Sequence, residues 1–265
     1  MTALLIDLDG VVYESGRPVS GAAEVVRWLQ REAIPHLFLT NTTSRPRRAI
    51  LERLQAMQIR VAEHDILTPP VAAVKWLAQH APGRAAVFVA PATVEEFREL
   101  ELARADATTV ASVVLGDYGE RWTFAELNRA FRLLMNEPAP VLVALGMTRY
   151  WQAMDGLRLD TAPFVMALAH AADVEPVVLG KPAKPFFEAA LTLLNAAPGE
   201  TLMIGDDIKG DIGGAQAAGI AAAIVRTGKF RPGDLEGEVR PQFLLDSFAE
   251  LPARWAEIAD ALEDG

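Results

Sequence analysis

Hydrophobic positions along the chain fall into short blocks that alternate between two periods. Leu4-Leu5-Ile6 is a continuous apolar run that stops at Asp7-Leu8-Asp9-Gly10, the pattern of a parallel strand buried on both faces. In Ala22 to Glu32 the apolar residues Val25, Val26 and Leu29 recur at helical spacing, which predicts a crossover helix. His36 to Leu39 reads as a second buried strand, followed by a polar knot (Thr40 to Ser44) and a Pro46-led helix through Met57. In that knot Thr43 and Ser44 read as helix caps. Pro69-Pro70 opens a further amphipathic helix closed by Pro82-Gly83. Beyond it, strand-like runs at Ala86 to Ala90, Ser112 to Leu115 and Val141 to Leu145 are separated by helical patterns at Val94 to Leu102 and Phe124 to Met135. The last third continues the alternation. Ala162 to Ala172, Pro185 to Asn195, Ile212 to Ala218 and Phe248 to Leu262 read as helices, and Pro176 to Leu179, Thr201 to Ile204 and Ala221 to Val225 as strands.

Strands alternating with helices predict an α/β protein with a Rossmann-like parallel-sheet core and helices on both faces. The middle of the chain is a second alternating unit of roughly ninety residues, large enough for a small domain. The expected organisation is therefore a core over 1–81, an inserted α/β unit over 82–173, and the rest of the core over 174–265.

Polar chemistry gathers where the strands end. Alternation sends Asp7 and Asp9 the same way past the carboxyl end of the first strand. Thr40 and Asn41 end the second, Lys181 follows the strand before Gly180, and Asp206, Asp207 and Asp211 crowd the end of Thr201 to Ile204. Parallel strands deliver their carboxyl ends to one edge, where open α/β sheets bind ligands. Like charges held this close share a proton or bind a divalent cation, and carboxylates with one Lys and hydroxyl or amide groups suit Mg²⁺ and phosphate. Each feature also has a bland reading, as a solvated turn acid, a helix cap or a loop lysine; their joint placement at strand ends favours the site. Gly146 to Gln152 is an aromatic and basic loop in a chain poor in both, so Arg149, Tyr150 and Trp151 are either substrate-facing or packing residues of a hairpin that turns at Asp155-Gly156.

Composition narrows the class. The 265 residues are 51% hydrophobic and carry a formal net charge of −10. That balance supplies a sizeable core, and it argues against a nucleic-acid partner and against anionic membranes. No apolar run approaches the ~18 residues of a membrane span and no basic segment precedes an apolar stretch at the N-terminus, so a cytoplasmic protein is expected. The absence of Cys excludes thiol nucleophiles, disulfides and zinc sites built on Cys.

The order of the polar clusters resembles the four motifs of the haloacid dehalogenase superfamily. Asp7-Leu8-Asp9-Gly10-Val11 looks like the first motif and Leu39-Thr40-Asn41 like the second. Gly180-Lys181-Pro182 looks like the third, and Gly205-Asp206-Asp207 through Asp211 like the fourth. The insertion between the second and third is similar to a class IIA cap. Tyr150-Trp151, Asp155-Gly156-Leu157 and Pro163-Phe164 resemble the branch that includes a pyrophosphate and phosphoamide phosphatase, although Thr42 stands where many members carry a second Asn. The resemblance implies a Mg²⁺-dependent phosphatase for a small phosphorylated molecule, with Asp7 as nucleophile and Asp9 as general acid/base. It also implies metal ligation by Asp7, Asp9 (through its backbone carbonyl) and Asp206, and phosphate binding by Thr40, Asn41 and Lys181. Asp207 and Asp211 would orient Lys181 or metal-bound water, Arg149 to Trp151 would set specificity, and the cap could pair two copies as a homodimer. One rival is a receiver-type signalling domain, which is about half as long and lacks an acid two residues after its phosphorylated Asp. Another is a catalytically silent phosphate-binding protein of the same fold.

Overall fold

The computed structural model describes residues 2–153 and 155–263. They divide into two compact units: one made of the segment ending at Thr40, Arg47–Leu67 and the segment beginning at Lys181, the other of Asn41–Pro46 and Thr68–Gly180.

The first unit is built on a six-stranded sheet ordered Phe243–Leu245, Ala221–Val225, Thr201–Gly205, Ala3–Asp7, His36–Leu39, Ile66–Leu67, with every neighbouring pair parallel. Central strands of such a sheet are covered on both faces, which is why Leu4, Leu5 and Ile6 are all fully buried. Leu4, Ile6, Phe38 and Ile204 share one core with Val25, Val26 and Leu29 of the Ala22–Arg31 helix and Ile258 of the Leu251–Glu263 helix. Leu5, Leu37 and Met203 alternate to the opposite face, on which the Lys184–Leu194 helix, with Phe186 and Phe187 buried, contacts the His36–Leu39 strand.

The chain runs outward from Ala3–Asp7 in one direction through His36–Leu39 and Ile66–Leu67, and returns on its other side through Thr201–Gly205. The crevice between Ala3–Asp7 and Thr201–Gly205 is thus the topological switch point, where doubly wound sheets place their ligands. The edge strands Ile66–Leu67 and Phe243–Leu245 are only two and three residues long, too short for a periodic signal.

The second unit has its own parallel sheet, ordered Val177–Val178, Val141–Ala144, Ser112–Leu115, Ala85–Phe88. Its core joins Phe88, Val113, Leu115 and Leu142 to Leu133 and Leu134 of the Phe124–Leu134 helix and Val165 and Leu168 of the Thr161–Ala172 helix. The division of the chain differs from boundaries at 82 and 173, for two reasons of packing. The Pro69–His80 helix contacts the Pro91–Phe97 turn of the second unit, and Val177–Val178 hydrogen-bonds to Val143–Ala144. The helix expected over Val94 to Leu102 is also replaced: a 3₁₀ turn ends at Phe97, and Leu102 bridges Ala85 as extended chain. Apolar spacing there reports a segment laid along a sheet edge.

Candidate active site

Asp7 is the last residue of its strand and is buried. The strand ends there because the chain turns: the amides of Val12 and Tyr13 both donate to the Leu8 carbonyl, and Gly10 takes a φ of +88°. The turn separates the two N-terminal acids. Asp9 is exposed while Asp7 points into the protein, so strict alternation past the strand end does not hold.

Lys181, itself only 8% exposed, bridges two buried carboxylates. Its Nζ lies 2.5 Å from Asp7 Oδ1 and 2.6 Å from Asp211 Oδ1. The other oxygen of Asp211 accepts the backbone amides of Asp206 and Asp207, both at 3.2 Å. Asp211 is brought there by a π-wound turn, Ile208–Gly213, that runs into the short Gly214–Ala217 helix. Asp207 caps that turn by accepting the amides of Lys209 (3.1 Å) and Gly210 (2.8 Å) on Oδ1. The helix therefore starts at Ile208, four residues before the expected start at Ile212, because the acids at the strand end supply its cap.

Asp206 completes the cluster. Its Oδ2 accepts the Lys229 amide at 2.7 Å, and the Lys229 ammonium donates to Asp207 Oδ2 at 3.1 Å. Its Oδ1 is buried and has no hydrogen-bond partner among the described residues. A buried carboxylate oxygen without a donor is costly unless a ligand completes it. Carboxylate oxygens of Asp7, Asp206 and Asp211 lie within 4.8 Å of one another. Both oxygens of Asp211 are engaged, one by Lys181 and the other by two amides, whereas Asp206 Oδ1 is open among the described residues, so this group of acids could hold a divalent cation through oxygen, the donor type Mg²⁺ takes. The donor set fits such an ion.

Charge in the cluster is unbalanced, with three buried carboxylates facing one buried ammonium. Burial pushes the Asp7 carboxyl up to about 8 against the pull of Lys181, with Asp211 and Asp206 adding to the rise. Burial likewise raises Asp206 to about 6. Burial disfavours the Lys181 cation, but Asp211 and Asp7 outweigh it and hold the amine above its ordinary range. Asp207 is partly buried, yet the Gly210 amide and Lys229 keep it below the usual carboxylate value.

Thr40 lies at the end of the neighbouring strand, buried, its amide donating to the Leu67 carbonyl at 3.2 Å. Asn41 opens the segment grouped with the second unit and has an exposed side chain. Tyr150 and Trp151 lie on the hairpin that was one of the two readings of this stretch, and Arg149 directly precedes it: Tyr150–Ala153 pairs antiparallel with Gly156–Leu159. Arg149 lies over the Tyr150 ring at 5.7 Å, and Trp151 helps line a cavity of about 380 Å³ with Asp117, Arg158 and Phe164. Sequence reasoning passed over Thr227, Gly228 and Lys229. They follow the carboxyl end of Ala221–Val225, so the strand-end rule that found the other residues points to them too.

Fold and site together define a class, a doubly wound α/β enzyme whose carboxylates and buried lysine meet at the switch point. A family profile described as haloacid dehalogenase-like hydrolase matches residues 4–103, and a second, HAD-hydrolase-like, profile matches residues 178–251. The chain is 34% identical to the phospholysine phosphohistidine inorganic pyrophosphate phosphatase of Xenopus laevis, over 99% of this chain and 96% of that one. It is 37% identical to haloacid dehalogenase-like hydrolase domain-containing protein 2 of Bos taurus, over 91% of this chain and 90% of that one. The p-nitrophenyl phosphatase of Archaeoglobus fulgidus superposes with a TM-score of 0.84 at 25% identity, covering 94% and 97% of the two chains. The chain belongs to the haloacid dehalogenase-like hydrolases, and it is a hydrolase of the phosphatase kind. Among the described residues no helix is long and apolar enough to cross a membrane.

Proposed function

We propose that the protein is a Mg²⁺-dependent phosphatase that transfers the phosphoryl group of a small substrate to Asp7 and then to water. The observation that carries this reading is the buried pair of Asp7 and Asp206, with Asp206 Oδ1 lacking a donor among the described residues and Lys181 2.5 Å from Asp7 Oδ1. Asp7, Asp206 and the Asp9 backbone carbonyl are the groups that would hold the ion, which when bound supplies the positive charge that lets an anionic nucleophile approach an anionic phosphoryl group.

The residues divide the work. An Asp7 carboxylate oxygen attacks phosphorus, and the bond to the leaving oxygen or nitrogen breaks, leaving an aspartyl-phosphate that a second displacement hydrolyses. Asp9, exposed and therefore accessible to substrate and water, gives a proton to the leaving group and takes one from the incoming water. Lys181 is held in place by Asp211 and, with the Thr40 hydroxyl and the Asn41 backbone, stabilises charge on the transferring oxygens. Asp207 keeps the turn carrying Asp211 capped.

The substrates we propose are phosphate monoesters, phosphoamides and inorganic pyrophosphate, the chemistry in the names of the relatives. The second unit acts in this reading as the cap that selects among them, through Arg149, Tyr150 and Trp151. The exposed hairpin would also serve as a contact between two copies, and the enzyme works in the cytoplasm. The test is phosphate release from p-nitrophenyl phosphate, a phosphoamide and pyrophosphate, each with Mg²⁺ and with EDTA. Turnover that requires Mg²⁺ supports the reading. Equal turnover in EDTA, or none with any of the three, contradicts it.

A further inference from the structure

The segment that follows the Ala221–Val225 strand touches the metal-competent cluster without supplying a ligand. The Lys229 amide fixes Asp206 Oδ2 at 2.7 Å. The Thr227 hydroxyl donates to the carbonyl of Gly10 in the turn beyond Asp7. Gly228 sits between these two bonds at a φ of +64°, and a Cβ there would run into the Asp206 carboxylate and lie 2.6 Å from the Gly10 Cα. Gly10 answers from the other side, at a φ of +88°, with its own missing Cβ aimed at the same carboxylate. Two glycines in left-handed conformation thus let two backbone turns close on one side chain.

The closure is selective. One oxygen of Asp206 is held by an amide and the other, buried, receives nothing from the described residues. A carboxylate free to rotate would trade its two oxygens, whereas one pinned through Oδ2 keeps Oδ1 in place. We propose that Thr227–Lys229 is a positioning strap that clamps Asp206 so that Oδ1 alone is left for a divalent cation, with Thr227 as the positioning residue that ties the strap to the Asp7 turn. The inference rests on the Mg²⁺ reading above, and it assigns a task to residues outside the four motifs. Outer groups that orient ligating carboxylates typically change metal affinity 10- to 100-fold when removed.

Mn²⁺ is the probe, because it prefers the same oxygen donors as Mg²⁺ and its free concentration can be read by electron paramagnetic resonance without turnover. Thr227→Val, which keeps the shape and removes the hydroxyl, should raise the Mn²⁺ Kd about tenfold or more. Thr227→Ser should restore it to within about threefold of the wild type. Lys229→Met keeps the backbone amide and should also stay within about threefold. Unfolding midpoints in chelator should be alike for all four proteins. Hydrogen exchange of the unmutated protein adds an arm that needs no variant: the Lys229 amide should be protected already in metal-free buffer. Wild-type Mn²⁺ affinity in Thr227→Val overturns the strap, as does an equal loss in Lys229→Met or a Lys229 amide that is protected only after metal is added. If the unmutated protein binds no Mn²⁺ at all, the Mg²⁺ reading falls and the strap falls with it.

Discussion

The two places in this chain that attract a chemist's eye are built in opposite ways. At the carboxyl edge of the first sheet, Asp7, Lys181, Asp206 and Asp211 are each 8% exposed or less and are bound to one another. On the Tyr150–Ala153 and Gly156–Leu159 hairpin of the second unit, Tyr150 and Trp151 are 51% and 43% exposed, and the charged pair Arg158–Asp155 lies in solvent. A buried network of charges has one low-energy arrangement, and losing any member leaves another unpaired. An exposed hairpin with screened ion pairs can change residues at little cost to the fold. The contrast suits a division in which the reaction is fixed in the core and substrate choice is left to a surface that can vary.

The largest effects should come from the buried cluster. Asp7→Asn keeps the shape but removes the carboxylate proposed as nucleophile, and turnover of any phosphate substrate should drop by about four orders of magnitude or more. Residual turnover within tenfold of the wild type would contradict a covalent route. Lys181→Met strips the countercharge from two buried carboxylates, and urea titration should report a loss of about 3–5 kcal/mol in metal-free buffer. A loss below about 1 kcal/mol would mean that the cluster is more hydrated than its burial implies.

A middle-sized effect follows from proton binding. Asp7 at about 8 and Asp206 at about 6 both sit above the ordinary 3.8. Between pH 4 and those values the native state therefore holds protons that the unfolded chain has released. Stability then falls as pH rises, for Asp206 between about 4 and 6 and for Asp7 between about 4 and 8. Metal-free protein should accordingly unfold at lower temperature at pH 8 than at pH 6. Mg²⁺ competes with these protons, so its stabilising effect should grow over the same range. Asp206→Asn should flatten the lower part of the slope and lose most of the Mg²⁺ response. A Mg²⁺ shift in that variant as large as in the wild type would remove Asp206 from the metal site.

The smallest effects belong to the hairpin. Arg149→Ala and Trp151→Ala should leave unfolding midpoints within about 2 °C of the wild type while changing the ratio of kcat/KM between pyrophosphate and p-nitrophenyl phosphate several-fold. If every substrate falls by one common factor, or none falls, these side chains pack and do not select.

Much of this contrast could be read from residue order alone. The buried strands were legible because a run such as Leu4-Leu5-Ile6, covered on both faces, leaves no polar alternation to confuse it with an edge. The acids and Lys181 were legible because parallel strands carry their ends to one side. Three things were not legible. Ile66–Leu67 and Phe243–Leu245 are too short to show a period. Val94 to Leu102 has helical spacing but spends it on a 3₁₀ turn and an extended stretch against Ala85. Asp7 and Asp9 part company because Gly10 permits a turn that no count of alternating positions anticipates. Gly228 and Lys229 also follow a strand's carboxyl end, so their place was legible, but their contact with Asp206 is made by a backbone amide, which every residue but proline owns and no side-chain type advertises.

The central claim is that Asp7 carries the phosphoryl group while Asp9 handles protons, and one measurement addresses it directly. Asp9→Asn, mixed with p-nitrophenyl phosphate and Mg²⁺ and quenched in acid, should retain phosphate on the protein, because the activated leaving group needs no acid for the first displacement while the second still needs a base. Peptide mass spectrometry should place an added phosphate on Asp7, at a stoichiometry approaching one per chain, and Asp7→Asn combined with Asp9→Asn should carry none. Phosphate on another residue, or none in Asp9→Asn while it still turns over, would contradict the account.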